Sequence, residues 1–381
     1  MKIQNKTDRP DNVVEREAKV LSEYRKLQEQ LPGFLKGFYV YLNGNSLPLT
    51  RLSYLRDIRF FFSYLLAETP LGSERGDIKE ITAADLDALK ARDVNYFIDY
   101  CRHYTVTDGE GAETVYENSN ASLSRKKSSL SVMFKFLYRD GIVSSNITDG
   151  FDPIRLPKPG EREIKALQDD EVMKMLDAVV TGEGLTDHEK DYWEKTKLRD
   201  KLILLLLLTY GLRLSELQQL NVSSFNFERG EFKIYRKRGK ESLMPINRTI
   251  SEAFSEYVSL ERAPEDTLPP ESKDALLLSL RGTRLTDRQL RQIVKKYTSI
   301  PLGTSRDRGY SPHKLRATAA TSLIGRGNSV YDVQELLDHD NVTTTQLYAA
   351  HKLNTKRELI KGFEWGDDMI KPEDGDKEDK D

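Results

Sequence analysis

Cysteine is almost missing from this chain: Cys101 is the only one in 381 residues. A single thiol cannot close an intrachain disulfide, so a reducing, cytoplasmic setting is expected. Within a helical pattern, Cys101 reads as a small packed residue rather than a reactive one. Long apolar runs are missing too. The longest, Leu202 to Leu208, is about a third of a bilayer span, and no membrane anchoring is expected. The opening "MKIQNKTDRPDN" has no hydrophobic segment, so no secretory leader is expected. The five histidines, His103, His188, His313, His339 and His351, have no zinc-ligand spacing. No acid cluster resembles a magnesium site of nucleases. "RGKES" lacks the upstream glycine and the Ser or Thr of a phosphate-binding loop. Neither metal, ATP nor any other cofactor is expected.

Net charge is nearly absent as well, at −2. Its distribution is uneven. From Gly366 to Asp381 there are eight acids and three lysines, a net of −5, which leaves +3 for the other 365 residues. That tail has no apolar periodicity and is expected to be disordered. Cations cluster elsewhere. Residues 119–139 hold Arg125, Lys126, Lys127, Lys135 and Arg139 without an acid. Residues 229–240 hold six cations against Glu231, and residues 281–296 hold six against Asp287. One cluster alone is more often a solvated face. Three suggest a surface that follows phosphates.

The spacing of apolar residues predicts a mainly α chain. "VVEREAKVLSEYRKLQEQL" and "TRLSYLRDIRFFFSYLL" read as helices, the second capped by Thr50. "TAADLDALKARDVNYFIDYCRHY" holds two helical segments, the first capped by Thr82. "TVTDGEGAETVYEN" reads as a polar loop, and "SLSRKKSSLSVMFKFLYRDG" as an amphipathic helix ending near Gly141. No strand pattern competes, so this part is expected to be an all-helical domain over residues 1–145. "DPIRLPKPGERE", with three prolines and a charge run, falls in a linker over residues 146–163. A second domain follows over residues 164–363, and the tail occupies residues 364–381. In the second domain "LQDDEVMKMLDAV" and "DYWEKTKLRDKLILLLLLTYG" read as helices, the latter closed by Gly211. "EFKIYRKR" and "ESLMPI" read as a hairpin around Gly239, with "DALLLSL" as a third strand of a small antiparallel sheet. Thr286 with Gln289 predicts a capping box, and Ser311 with Pro312 another helix start.

That last helix opens "SPHKLRATAAT". His313 and Arg316 lie three apart and share one face near the helix start, where backbone N–H groups favour an anion. Alone, such a pair is more often a solvated surface pair. Other fragments join it. Arg213 follows the Gly211 turn in "YGLRLSELQQL", Lys237 lies at the hairpin tip, and "LLDHDNVTTTQLY" carries His339 and Tyr348. Singly, Arg213 reads as a helix-end cation, Lys237 as a turn lysine and Tyr348 as a packed aromatic. Together, the order Arg, Lys, His-x-x-Arg, His, Tyr over about 135 residues is specific. Glu216, one turn after Arg213, either orients that arginine or faces solvent.

With these motifs the chain resembles the tyrosine recombinases, or phage-type integrases, and among them the Xer recombinases of single-protein type. The resemblance runs from the helical domain to about Phe363 and is strongest in "GLRLSEL", "SPHKLRATAAT" and "LLDHDNVTTTQLY". It implies a helical core-binding (SAM-like) domain followed by an α+β catalytic domain. It implies a catalytic set of Arg213, Lys237, His313, Arg316, His339 and Tyr348. Lys237 follows Arg213 by 24 residues, the spacing the Xer-like pattern implies; Lys240 is the alternative. Two departures stand out. Leu337-Asp338-His339 replaces the usual Leu-Gly-His, and Ala317 stands where a histidine is frequent. Neither position carries chemistry in the family.

The residue types suit the implied reaction. A tyrosine oxygen forms a phosphoester that stores the energy of the cut bond for religation. Its pKa near 10 means that prior ionisation at pH 7 costs about 4 kcal/mol, so a nearby base such as His313 helps. Two guanidiniums can clamp the charge gathering on the equatorial phosphate oxygens. A lysine can protonate the departing 5′-oxygen, and a second histidine can donate to a nonbridging oxygen.

The resemblance further implies a homotetramer on two double-stranded DNA sites, and a clamp with a domain on each face of the duplex. Arg51, Lys126, Lys127, Arg281 and Arg284 are candidate DNA contacts. "NTKRELIKGF" after Tyr348 docks either on a neighbouring protomer or in cis. Two roles stay open, chromosome dimer resolution at a dif-like site and integration or excision of a mobile element. From other classes, a type IB topoisomerase uses a similar residue set, and a catalytically silent DNA-binding protein remains an alternative.

Overall fold

The structure, a computed structural model, describes residues 9–107, 109–157, 164–236 and 239–338. The chain divides into two compact units, Met1–Pro157 with Tyr235–Lys240, and Lys158–Ile234 with Glu241–Asp381. The fold is mainly α, with two small antiparallel sheets. Among the described residues no helix is long and apolar enough to cross a membrane.

The first unit runs α1 (Asp11–Gln28), α2 (Lys36–Asn45), α3 (Pro48–Glu68), α4 (Leu71–Glu74), α5 (Ala83–Asp87), α6 (Ala91–Tyr100), β1 (His103–Thr107), β2 (Glu113–Glu117) and α7 (Asn120–Arg139). Its core packs Leu55, Ile58, Phe61 and Phe62 of α3 against Phe97 of α6 and Leu130, Met133 and Phe134 of α7. Each such side chain, fully buried, contributes about 1.5–3 kcal/mol. Two expectations change here. The unit is not all-helical: the stretch read as a polar loop forms the β1–β2 ribbon, registered Tyr104 against Tyr116 and Thr105 against Val115. The ribbon is exposed almost throughout, and the alternation of Tyr104 and Val106 in β1 is too short, and unmatched in β2, to stand out from a loop. And α3 starts at Pro48 rather than after Thr50, because Pro suits a helix's first turn. The Thr82 cap is present as a full capping box with Asp85.

The second unit runs α8 (Asp169–Thr181), α9 (Asp187–Trp193), α10 (Lys197–Tyr210), α11 (Leu214–Gln218), β3 (Phe225–Asn226), β4 (Glu231–Tyr235), β5 (Glu241–Pro245), α12 (Arg248–Leu260), α13 (Asp287–Ser299), α14 (Pro312–Gly325) and α15 (Val330–Leu337). The segment expected as one helix is two, α9 and α10, with Thr196 as the N-cap residue of the second. Helix α10 is buried nearly all round and packs on α8, α12 and α14. The sheet order is β3-β4-β5. The expected third strand, "DALLLSL", is not in it: Ala275 to Leu278 are buried and make only isolated bridges, Asn221 to Ala275 and Leu278 to Arg284. The third strand is Phe225–Asn226, paired with β4. The Thr286–Gln289 capping box forms as expected.

Helix α14 is held on two sides. Leu315 enters the main core of the unit, while Ala317, Ala320 and Ile324 pack with Val333 and Leu337 of α15. The small side chains of "RATAAT" leave room for α10 and α15 close to the α14 backbone. Thr318 Oγ accepts from the Leu167 N–H at 2.9 Å, which ties the start of the unit to the same helix.

Candidate active site

Three corners of the backbone meet near the start of α14. Helix α10 ends at Gly211 in the left-handed region, with φ 56°. A side chain there would bring its Cβ within 2.5 Å of Leu337 Cδ2, so both conformation and space require glycine. The chain then turns, and Arg213 becomes the N-cap residue of α11. Helix α15 ends at Asp338, which is also left-handed.

Arg316 and Arg213 converge on the α15 corner. The Arg316 guanidinium is buried; Nη1 donates to the Gly211 carbonyl at 2.6 Å and Nη2 to the Leu337 carbonyl at 2.5 Å. Arg213 Nη2 donates to the next carbonyl, that of Asp338, at 2.6 Å. The two arginines therefore hang from consecutive carbonyls. Burying a cation costs several kcal/mol, and charge-assisted bonds to carbonyl dipoles offset about 1.5–3 kcal/mol each.

Glu216 settles the choice left open for it. Its carboxylate is buried, only 2% exposed, and accepts from Arg213 Nη1 at 2.8 Å and from the Arg213 backbone N–H at 2.7 Å. It orients the arginine from below while ordering the first turn of α11. Arg213 keeps 22% of its side chain exposed.

His313 lies one turn before Arg316 on α14 and is exposed. Surrounding atoms nevertheless withhold water from the ring, and together with the Arg316 charge they lower its pKa from the ordinary value. The helix start is as expected, with Ser311 as N-cap residue and Pro312 at the first position, but the Ser311 side chain makes no capping bond. Lys237, His339 and Tyr348 lie outside the described residues, as do the acidic tail and "NTKRELIKGF". The alternative lysine, Lys240, is exposed at the Gly239 turn, where its carbonyl accepts from the Arg236 N–H.

The model of the phage integrase family matches residues 165–355, half of the chain, and this span contains all six residues of the constellation. The chain belongs to the phage integrase family. It is a tyrosine recombinase, an enzyme that cuts and rejoins DNA. It is 31% identical over 230 residues to the tyrosine recombinase XerC of Roseiflexus castenholzii, covering 60% of this chain and 68% of that one. It is 29% identical over 338 residues to XerD of Mycobacterium leprae, covering 88% and 96%. In fold it is similar to the XerH recombinase in a post-cleavage complex with palindromic difH substrate, with a TM-score of 0.57, 18% identity, and 94% and 90% of the two chains covered.

The five candidate DNA contacts of this recombinase are placed differently from one another. Arg51 closes the end of α2, donating to the carbonyls of Ser46 and Asn43. Lys126 is buried over the Phe60 ring and pairs with the buried Asp57, which also holds Arg125 and Ser129. Lys127 donates to the Phe151 and Asp152 carbonyls. Arg284 bonds the carbonyls of Gln218 and Leu220 and the Asn221 side chain. All four groups are engaged within the protein. Arg281 is exposed at the turn that precedes α13.

Two functional features escaped the sequence. One is the Leu337–Asp338 corner as the common anchor of both arginines. The other is the left-handed backbone at Asp338, for which the family's usual glycine at this position was the available signal.

Proposed function

We propose that this recombinase carries out Xer-type strand exchange at a dif-like site, resolving chromosome dimers, as a tetramer on two DNA sites in the cytoplasm. The helical first unit is the core-binding module, and the second unit is the catalytic one. The observation that carries the reading is the anchoring of Arg213 and Arg316 to consecutive carbonyls beside the His-x-x-Arg helix start. Such an arrangement suits a single phosphate better than two separate surface contacts. The likeness to proteins named XerC and XerD over most of the chain supports the Xer role.

In this reading the Tyr348 oxygen attacks the scissile phosphorus, and its proton passes to His313. The phosphorus–5′-oxygen bond breaks, and Lys237 protonates the departing oxygen, with Lys240 as the alternative donor. Arg213 and Arg316 bind the charge of the phosphorane, and His339 donates to a nonbridging oxygen. The product is a 3′-phosphotyrosyl link and a free 5′-hydroxyl. That hydroxyl, on a partner strand, reverses the steps and rejoins the DNA.

The test is a plasmid carrying two copies of the host's dif-like site. Resolution into two circles supports the reading. Exchange only at the ends of a mobile element would make the protein an integrase. Relaxation without exchange would make it a topoisomerase.

A further inference from the structure

Among the described residues, Asp338 is the one non-glycine residue with positive φ, at 51°. Aspartate tolerates this conformation better than most residues, but glycine adopts it without strain. Helix ends with this geometry usually use glycine. The more costly residue therefore calls for a role for its side chain.

That side chain meets Arg213. Asp338 Oδ2 lies 3.5 Å from Arg213 Nη1, while the Asp338 carbonyl accepts from Nη2. The two side chains are 25% and 22% exposed, so the pair sits at the solvent edge of the site rather than beneath it. Glu216 holds the same Nη1 from the buried side. The guanidinium is thus framed by two carboxylates, one structural and buried, the other long and open to solvent. A phosphate that reaches Arg213 meets the second one: a like charge close by that has already partly neutralised the arginine.

We propose that Asp338 is a positioning residue for Arg213. Its carbonyl aims the guanidinium, and its carboxylate is a resident counter-charge that lowers the arginine's affinity for a DNA phosphate. This rests on the reading of Arg213 as a phosphate ligand. The counter-charge makes capture of a phosphate by Arg213 alone weak, so that engagement depends on the other contacts of a correctly bound site.

Asp338→Asn separates the two functions, because asparagine keeps the size, the backbone carbonyl and the tolerance of left-handed φ but removes the charge. The full chain is compared as wild type, Asp338→Asn, Arg213→Ala and the double variant. The probe is a fluorescent duplex bearing the dif-like site, followed by anisotropy. Asp338→Asn is expected to bind up to about fivefold tighter, the scale of a partly exposed ion pair. Its thermal midpoint should match wild type, and the gain should vanish in the Arg213→Ala background. Equal affinity for wild type and Asp338→Asn overturns the proposal, as does a gain that survives Arg213→Ala. If Arg213→Ala alone changes neither binding nor cleavage, Arg213 is not a phosphate ligand, and the proposal falls with that reading. Asp338→Gly, which removes the charge and relaxes the backbone, is the second variant; its binding should match that of Asp338→Asn.

Discussion

Arg316 donates to the carbonyl of Gly211 at 2.6 Å across 105 residues of sequence. The turn that ends α10 and the buried arginine of α14 therefore form one unit. Gly211→Ala would force a side chain into the left-handed region and against Leu337. It is expected to destabilise the chain by more than about 1 kcal/mol and to slow DNA cleavage more than it weakens DNA binding. A urea melt and a cleavage time course check both parts. Unchanged cleavage would detach Gly211 from the site.

Glu216 is the buried partner of Arg213. Glu216→Ala leaves the guanidinium with less support and removes a charge-assisted bond from the start of α11. The expected loss is about 1–3 kcal/mol of stability, with cleavage reduced well beyond any change in duplex affinity. Rapid-quench cleavage beside anisotropy binding separates the two. Equal losses in both would make Glu216 purely structural.

For His313 the sign follows from its lowered pKa. A base must be neutral to accept a proton, so a lowered pKa extends the active form to lower pH. The acid limb of the cleavage rate is expected below the ordinary histidine value of about 6.5. The same shift favours the folded state fully above about pH 6.5, and this contribution is lost as pH falls towards the folded-state pKa. A pH–rate profile of single-turnover cleavage tests it, with His313→Gln expected to lose the limb. A limb above 6.5 would exclude His313, with its lowered pKa, as the base.

Cys101 is buried at the end of α6, and burial pushes its thiol up to about 12. It is expected to stay unmodified by a thiol reagent in the native protein and to react fully in urea. Rapid native labelling would contradict the packing of the first unit.

Much of this was legible in the residues. Apolar spacing marked α1, α6, α7 and α8, and Gly211 marked its turn, because helix periodicity and a required left-handed φ both leave local signals. The β1–β2 ribbon was hard to read because its apolar residues are few, Tyr104, Val106, Val115 and Tyr116, and mostly exposed, and they flank a polar Gly-containing turn that reads as loop. The break between α9 and α10 has no Pro or Gly to announce it. Charge was the least legible. Lys126 and Arg284 sit in basic clusters of the sequence, yet their partners, Asp57 and the carbonyls of Gln218 and Leu220, are distant in the chain. A cluster of cations reports composition, whereas the internal partner that the fold gives each cation is set by residues distant in the chain. At the site, the residue types and their order were readable, but the Leu337–Asp338 corner that gathers the arginines was not. Its contribution comes from backbone carbonyls, which every residue possesses.

The central claim concerns covalent chemistry at Tyr348, and trapping tests it most directly. The full chain is mixed with labelled, nicked suicide duplexes carrying the dif-like site, and the products are run on a denaturing gel. The account predicts a protease-sensitive adduct on the 3′ side of the break that maps to the peptide containing Tyr348 and is lost in Tyr348→Phe, which still binds the duplex. An adduct of normal yield in Tyr348→Phe would contradict it.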